Sequence, residues 1–468
     1  MRAIALLLLF FKYVSCLASP SQQPVVISTK SGSHLRHIFS FGAPPLVSNT
    51  TTTTTPTPNN KRRTSWAPRR ATATWIRSTF LPVGFPASVR PHYISFALWS
   101  ALQDWSTSLR SVVATQRVLE GVGVGQSTAT AVSAVYTFLV RDAAGMAATL
   151  LVTSKAARYF GADVKRWRIF ADLMVDIGIT LEVAAVHVPK EYFLAMLCMG
   201  NVCKALCGVA AGATGGAITL YWGKDISDLS AKAGSQRTVV SALGLALSAA
   251  FAQITAKARL SVVWGIYAAL TVFHIFANVQ CLRTLAFEHF NIVRLQKVAE
   301  TFLNSWTKGN PASKSLSPRE VARNERLLFR PWDNKIAFGV SFNEFIHSSY
   351  KTPNDVLRER VLDQRYLVSV ATGSHRILVV LRKGLSSMEQ TKAYFHALLL
   401  RRTIQQVKLN RGKAKLTDGD LFLAEQVAQQ EVDRAWEQFA ENCSQAGWNL
   451  EESELQSQGY EVQVQYPQ

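Results

Sequence analysis

The sequence has 468 residues, enough for two or three domains, and 48% of them are hydrophobic, which is sufficient for a core. The net charge of +20 is uneven, because residues 1–103 contain eleven Lys and Arg and no acidic residue, which leaves +9 for the rest of the chain. Six cysteines in this length exclude a disulfide scaffold, and a mildly basic body argues against a nucleic-acid partner, which needs basic residues on one folded face.

The N-terminal region has the composition of targeting sequences. Residues 1–19 combine Arg2, an apolar run and small residues, which predicts a secretory signal peptide. Residues 20–78 are basic, rich in hydroxyl groups and low in complexity, which predicts a disordered, transit-like segment. A signal peptide followed by a transit peptide is typical of plastids bounded by extra membranes, so the two segments together predict a plastid protein that is reached through the ER. The alternative is a protein of the ER or another endomembrane with a disordered linker.

The folded region is predicted to begin at residue 79. Closely spaced prolines stiffen residues 80–91, and apolar residues at helical spacing then predict an amphipathic helix over 94–120. The glycine run 121–125 is not preceded by a clear strand and not followed by G-K-[ST], so it is interpreted as a helix break rather than a phosphate-binding loop.

Three segments contain no Asp, Glu, Lys or Arg and are long enough to cross about 30 Å of hydrocarbon. They are Ala205–Gly223, Thr238–Ala256 and Leu260–Leu282. Buried helices of a soluble bundle are the alternative. In the first segment, glycines four residues apart form one smooth stripe that predicts close helix packing, at Gly208, Gly212 and Gly216. In the third segment, His274 is expected to form a hydrogen bond between helices.

Two polar segments supply the candidate ligand or pathway residues. Arg168, Asp172 and Asp176 are four residues apart, so they lie on one helix face. They are candidates for a proton or cation path or a polar ligand, and a solvated face with i,i+4 pairing is the alternative. Residues 224–236 are predicted to form a polar loop before a helix, where free N–H groups and side-chain donors can hold a ligand. Its candidates are Asp228, Lys232, Ser235 and Gln236.

The composition changes at about residue 311 to that of a soluble domain. Residues 336–342 are predicted as a strand, and two further strands flank a turn at 372–375. Two helices and an alternating edge strand follow. The predicted fold is therefore mainly α, with a membrane-embedded or tightly packed helical core over 79–300 and a small α+β domain over 311–468.

Six ordered segments resemble the root UV-B sensitive (RUS) family, also described as a vitamin B6 photosensitivity family. They read FLPVGFP (80–86), LEGVGVG (119–125), RDAAGM (141–146), KRWRIFADLMVD (165–176), GNVCKALCGVAAGAT (200–214) and DLSAKAGSQ (228–236). The resemblance starts at about Phe80 and weakens after residue 310. The family pattern commonly has acidic residues on both sides of Gly-Ser-Gln, whereas this chain has Ala233 and Arg237.

The resemblance implies a plastid setting and a link to light-stress tolerance and vitamin B6 homeostasis. It also points to another RUS-family protein as a partner. It implies no mechanism and no cofactor.

The residues themselves favour a non-enzymatic function. They show no nucleophile–base pair, no metal-ligand spacing and no cofactor fingerprint. The prediction is a carrier or ligand-binding scaffold in a membrane. The alternative is a soluble or peripheral interaction protein that binds a phosphorylated small molecule such as pyridoxal phosphate. An enzyme that uses that cofactor needs a lysine for a Schiff base, and the core offers Lys204 and Lys232.

Overall fold

The structure is a computed structural model that describes most of the chain from residue 67 and two short stretches before it. The described residues are 26–31, 34–40, 67–124, 131–156, 160–161, 163–309, 315–325, 327, 335–349, 365–411 and 416–462. The predicted signal peptide at 1–19 lies outside them.

The chain divides into two compact units, residues 1–89 with 227–239 and residues 90–226 with 240–468. The first unit contains the antiparallel strands β1 (Val26–Ser31) and β2 (His34–Ser40), and helix α1 (Ala67–Phe80). These elements occupy the described residues 26–31, 34–40 and 67–78 of the segment that was predicted to be disordered. Helix α1 starts twelve residues before the predicted start of the fold.

Long helices form the core of the chain, as predicted. They are α2 (Tyr93–Val122), α3 (Ala131–Ala156), α4 (Val164–Ala184), α5 (Lys190–Trp222), α6 (Ile226–Lys257) and α7 (Leu260–Arg283), and the first part of α6 belongs to the first unit. Helix α2 ends within the glycine run, where Gly123 has a φ of 90° that favours glycine. The run is therefore a helix end, which confirms that interpretation.

Four helices are long and apolar enough to cross a membrane. They are Ala131–Lys155, Lys190–Trp222, Ile226–Lys257 and Leu260–Arg283. Between 11% and 22% of their apolar windows is buried within this chain, and residues such as Leu139, Leu150 and Val272 are exposed. Apolar surface of this extent is typical of a membrane or protein contact. The Arg141–Asp142 pair, whose Nε and Oδ1 atoms are 2.9 Å apart, lies inside α3 without ending it.

Helices α4 and α5 come into close contact at two glycines that no sequence pattern marked. A Cβ at Gly178 would lie 2.7 Å from the carbonyl oxygen of Gly200, and a Cβ at Gly200 would lie 2.9 Å from that of Gly178. By contrast, no described atom outside the adjacent residues and the backbone of α5 lies within 4 Å of a Cβ at Gly208, Gly212 or Gly216. Within the described chain, the predicted stripe is therefore open.

The C-terminal region is an α+β arrangement. Its helices are α8 (Ile292–Trp306), α9 (Pro318–Asn324), α10 (Phe342–Ser348), α11 (Ser387–Arg411) and α12 (Asp418–Gln445). Its strands are β3 (His289–Phe290), β4 (Ile336–Phe338), β5 (Tyr366–Val370), β6 (Ile377–Arg382), β7 (Asn449–Ser453) and β8 (Glu461–Val462). Strand β6 pairs antiparallel with β5, as the predicted hairpin requires, and parallel with β4 and β8. Strands β3 and β7 pair separately.

Helix α8 packs into the core of the C-terminal region, although most of it precedes residue 300. Its residue Phe302 is 2% exposed, and its ring centroid lies 5.3 Å from that of Phe439 in α12. Because α8 buries its apolar face against α11 and α12, the packed C-terminal core starts about twenty residues before the composition change at 311.

His396, buried in α11, is expected to make stability depend on pH. Burial lowers its pKa to about 4, whereas an unfolded histidine titrates near about 6.5. Between these two values the unfolded state binds more protons than the folded state. The contribution of His396 to the free energy of unfolding is therefore fully present above pH ~6.5, and it decreases as the pH is lowered, by about 2 kcal/mol at pH ~5. Urea unfolding of the full chain, followed by near-ultraviolet circular dichroism, measures this. His396→Leu should flatten the profile, and an unchanged profile in that variant would contradict the assignment.

Candidate functional site

A network of buried polar side chains lies between α2, α4 and α7. Asp176 of α4 accepts a hydrogen bond from the guanidinium of Arg110 in α2, a residue that is 0% exposed. The same carboxylate contacts His274 of α7, with 2.9 Å between Nδ1 and Oδ1. Asp176 is therefore shared by a guanidinium group and an imidazole ring inside the bundle.

One helical turn earlier, Asp172 extends the network. It accepts a hydrogen bond from the side-chain amide of Asn278 in α7, and Arg168 Nε lies 3.5 Å from its Oδ2. Gln103 of α2 places its Oε1 3.5 Å from the same amide nitrogen. Burial raises the pKa of Asp172, and the positive charge of Arg168 opposes that rise. The predicted face of Arg168, Asp172 and Asp176 therefore points into the bundle, where α2 and α7 complete it.

The partners of this face on α2 and α7 include residues that the sequence analysis did not select. The contact of His274 with Asp176 confirms the predicted hydrogen bond between helices. The sequence does contain a signal for Arg110, because this arginine stands three residues before Val113 and four before Ala114, and both of these residues are buried. An arginine on the buried stripe of a helix needs a partner inside the protein. Spacing along the chain gave no such signal for Gln103 or Asn278.

The network combines charge, burial and one unused donor. Within the described residues, Arg110 Nε has no hydrogen-bond partner. Ionisable groups enclosed by apolar helices are costly, and in membrane proteins they line proton or substrate paths. A buried ion pair can also serve to fix the packing of helices. The geometry therefore supports proton transfer or contact with a polar solute.

A second buried ion pair connects α4 with the C-terminal region. Lys165 is 1% exposed, and its Nζ lies 2.8 Å from Glu325 Oε2. Arg294 of α8 lies farther away, with 3.9 Å between Nε and Glu325 Oε1. Burial lowers the pKa of Lys165, and the charge of Glu325 opposes that change. This pair is remote in sequence and fixes the start of α4 against the segment that follows α9.

The second group of predicted site residues lies on a helix, not in a loop. Helix α6 begins at Ile226, so Asp228, Lys232, Ser235 and Gln236 occupy its first turns. The prediction of a polar loop over 224–236 is therefore wrong beyond residue 225. Within the first unit, three of these side chains bind the backbone of the segment that opens the fold. The Val83 N–H donates to Asp228 Oδ2 (2.7 Å), Lys232 donates to the Ser78 carbonyl (2.6 Å) and Gln236 to the Phe80 carbonyl (2.7 Å).

These contacts give Asp228, Lys232 and Gln236 a defined role as an anchor for residues 78–83. Two of the segments that carry the family resemblance, FLPVGFP and DLSAKAGSQ, therefore meet in space. Ser235 takes no part, because its hydroxyl donates to the carbonyl of Ala231 in the same helix.

Replacing Asp228 by Ala should release this anchor. The Val83 N–H would lose a charge-assisted hydrogen bond worth about 1.5–3 kcal/mol, so its peptide should exchange hydrogen at least about tenfold faster. Hydrogen exchange followed by mass spectrometry on peptides covering 80–86 measures the effect. Ser235→Ala is the matched control and should leave exchange unchanged. Equal exchange in the two variants would refute the anchoring role.

Cysteines and metal ligands add no further candidate. Within the described residues, no group of three or more His, Cys, Asp or Glu side chains is arranged to hold a metal ion. Cys198, Cys203 and Cys207 are half-buried free thiols on α5.

Two family models together cover most of the chain. The model described as the vitamin B6 photo-protection and homoeostasis domain matches residues 66–306, which is more than half of the sequence. The model described as the C-terminal part of root UVB sensitive protein matches residues 314–463. Their junction at 306–314 falls just after α8.

Sequence relatives include several root UVB sensitive proteins. Protein root UVB sensitive 3 of Arabidopsis thaliana is 27% identical over 398 residues, covering 82% of this chain and 85% of the relative. RUS family member 1 of Dictyostelium discoideum is 31% identical over 265 residues, covering 56% and 49%. Protein root UVB sensitive 2, chloroplastic, of Arabidopsis thaliana is 28% identical over 295 residues, covering 62% and 65%.

No solved structure matches the chain. The six sequence segments, the two family models and these relatives agree with one another. The chain belongs to the root UVB sensitive family.

Proposed function

We propose that this protein is a membrane-embedded, non-enzymatic carrier or ligand-binding scaffold that acts in vitamin B6 homeostasis and light-stress tolerance. The observation that carries the proposal is the buried Arg110–Asp176–His274 group, whose His274 lies on α7, one of four candidate membrane spans with largely exposed apolar surfaces. Lipid would cover those surfaces, and the ionic group inside would then have the setting of a transport path.

The biological context comes from the family. Its larger domain is described by vitamin B6 photo-protection and homoeostasis, and one relative is described as chloroplastic. We extend both to this chain, with a plastid membrane as its location and another RUS-family protein as a partner.

The alternative is a soluble or peripheral protein that binds pyridoxal phosphate. For an enzyme with a Schiff base, the lysine must be free to react. Lys204 Nζ lies 2.5 Å from Glu182 Oε1. Lys232 is bound to the Ser78 carbonyl and lies 3.4 Å from Asp228 Oδ1. Both lysines are engaged with the protein, which favours the non-enzymatic proposal.

Alkaline carbonate extraction of membranes that contain the full chain separates the two classes. An integral protein stays in the pellet, and protease protection then gives the side on which the C-terminal region lies. Recovery in the supernatant would overturn the membrane proposal.

Uptake by proteoliposomes tests the carrier role. The probes are radiolabelled pyridoxine, pyridoxal and pyridoxal phosphate. Asp172→Asn should lower uptake at least about tenfold if the polar network is the path, since about 1.4 kcal/mol corresponds to that factor. Glu120→Gln, which alters an exposed pair with Arg117, is the control. Binding without uptake would favour the scaffold, and neither binding nor uptake would refute a role in handling these compounds.

A further inference from the structure

A cleft separate from the buried network opens beside the first residues of α2. Its volume is about 570 Å³, within the range of small-molecule sites. Residues from the ends of α5 and α7, from α9 and from the turn after α12 line the rest of it. Aromatic walls are provided by Trp99 and Tyr221.

The charge of this cleft is strongly positive. Among its described lining residues are four arginines and a single carboxylate, Glu288. Arg90 binds that carboxylate, with 3.1 Å between Nη2 and Oε2, and its guanidinium carbon lies 4.9 Å from the centroid of the Tyr221 ring. The one anion of the cleft is therefore already neutralised by one of its four arginines.

The other three arginines have no such compensation. In the part of the chain that the structure describes, no carboxylate lies within ion-pair distance of Arg283, Arg319 or Arg323, and all three are exposed. Arg319 and Arg323 are four residues apart on α9, so they lie on one face of it. Nearby His92 contacts Arg319, and partial burial together with the positive charges of Arg319 and Arg323 lowers its pKa.

We propose that this cleft binds a phosphate-bearing ligand, with Arg283, Arg319 and Arg323 holding the phosphate group. Guanidinium groups bind phosphate oxygens through paired, charge-assisted hydrogen bonds, and three of them more than neutralise a phosphomonoester, which carries a charge of about −2 at pH 7. The cleft adjoins the ends of two candidate spans, at Tyr221 and Arg283. The phosphate can therefore belong to a soluble metabolite or to a lipid head group. This assignment does not depend on the carrier proposal.

Equilibrium binding of radiolabelled inorganic phosphate to the full chain in an uncharged detergent tests the site. Wild type should bind saturably, and Arg319→Gln/Arg323→Gln should raise the dissociation constant at least about tenfold, since about 1.4 kcal/mol corresponds to that factor. Lys297→Gln/Arg434→Gln removes two exposed charges that do not line the cleft, and it should bind like wild type. Both pairs of substitutions change exposed residues, so folding should be preserved.

Vesicles distinguish the two sources of phosphate. Phosphatidylcholine vesicles with and without phosphatidic acid are compared for binding of the detergent-purified protein. Loss of free-phosphate binding in Arg319→Gln/Arg323→Gln assigns the cleft to a soluble ligand. Binding confined to phosphatidic acid vesicles, and lost in the same variant, assigns it to a lipid. The proposal is overturned if wild type binds neither probe, or if the cleft variant binds as wild type does. Asp172→Asn should bind phosphate normally, so failure of the carrier proposal would leave this result intact.

Discussion

Asp176→Asn is expected to lower the free energy of unfolding by about 3–5 kcal/mol, because it leaves the buried Arg110 cation without its counter-charge. The two side chains are 0% and 6% exposed, so water cannot replace the lost carboxylate. The hydrogen bond of His274 to the same carboxylate would weaken as well. Thermal unfolding of the detergent-purified chain, followed by the fraction that stays monodisperse, measures the loss.

The control for this variant is a pair of the same chemistry at the surface. Glu120 pairs with Arg117 in α2 with its side chain 61% exposed, and an exposed pair contributes no more than about 1 kcal/mol. Glu120→Gln should therefore be nearly neutral. Replacing both buried partners, as Arg110→Met/Asp176→Leu, should recover much of the stability, because no charge is then left unpaired. If Asp176→Asn is as stable as wild type, Arg110 must find another partner, and the network would not be a closed ionic unit.

Part of this network follows from helix geometry alone. Residues four apart on a helix share a face, which is sufficient to group Arg168, Asp172 and Asp176. Their partners are 66, 98 and 106 residues away in the chain, at Arg110, His274 and Asn278. Spacing within one helix carries no information at that distance. Only the packing of α2 and α7 against α4 determines which polar groups meet.

The polar segment 224–236 shows how tertiary contacts override a local pattern. Its serines, glycine and charges are typical of a loop, yet the helix runs through them from Ile226. Three side chains on this helix bind the backbone around Ser78, Phe80 and Val83. Weak helix propensities, which cost at most about 1 kcal/mol each, are offset by contacts of this kind. The structure gives three of the predicted residues a structural role, and their predicted role in ligand binding stays a prediction.

The glycines of α4 and α5 illustrate a similar limit. The stripe at Gly208, Gly212 and Gly216 is visible because its members repeat in one helix, but the close approach occurs at Gly178 and Gly200, one from each helix. Gly178 is the single glycine of α4, so no repeat within that helix marks it. The distance between two helices depends on the residues of both, so the sequence of either helix alone does not reveal where they come close.

Gly178→Ala should therefore be strongly destabilising, although alanine is the better helix former. The added Cβ would meet the Gly200 carbonyl at 2.7 Å, and a backbone atom cannot move aside as a side chain does. The helices must separate, at a cost of about 1–3 kcal/mol beyond the gain of about 1 kcal/mol in helix propensity. Gly216→Ala is the matched control on α5, where no described atom outside the adjacent residues and the helix backbone lies within 4 Å of the new methyl group.

In thermal unfolding of the detergent-purified monomer, the two variants should differ in the direction in which they change the unfolding temperature. Gly216→Ala should raise the unfolding temperature or leave it unchanged, and Gly178→Ala should lower it. If Gly178→Ala proves harmless, α4 and α5 do not pack at these glycines. If Gly216→Ala lowered the unfolding temperature in membranes but not in the detergent-purified monomer, the result would have a different meaning. It would indicate that a second protein molecule packs against the open stripe, because none of the described residues outside this helix meets the new methyl group there.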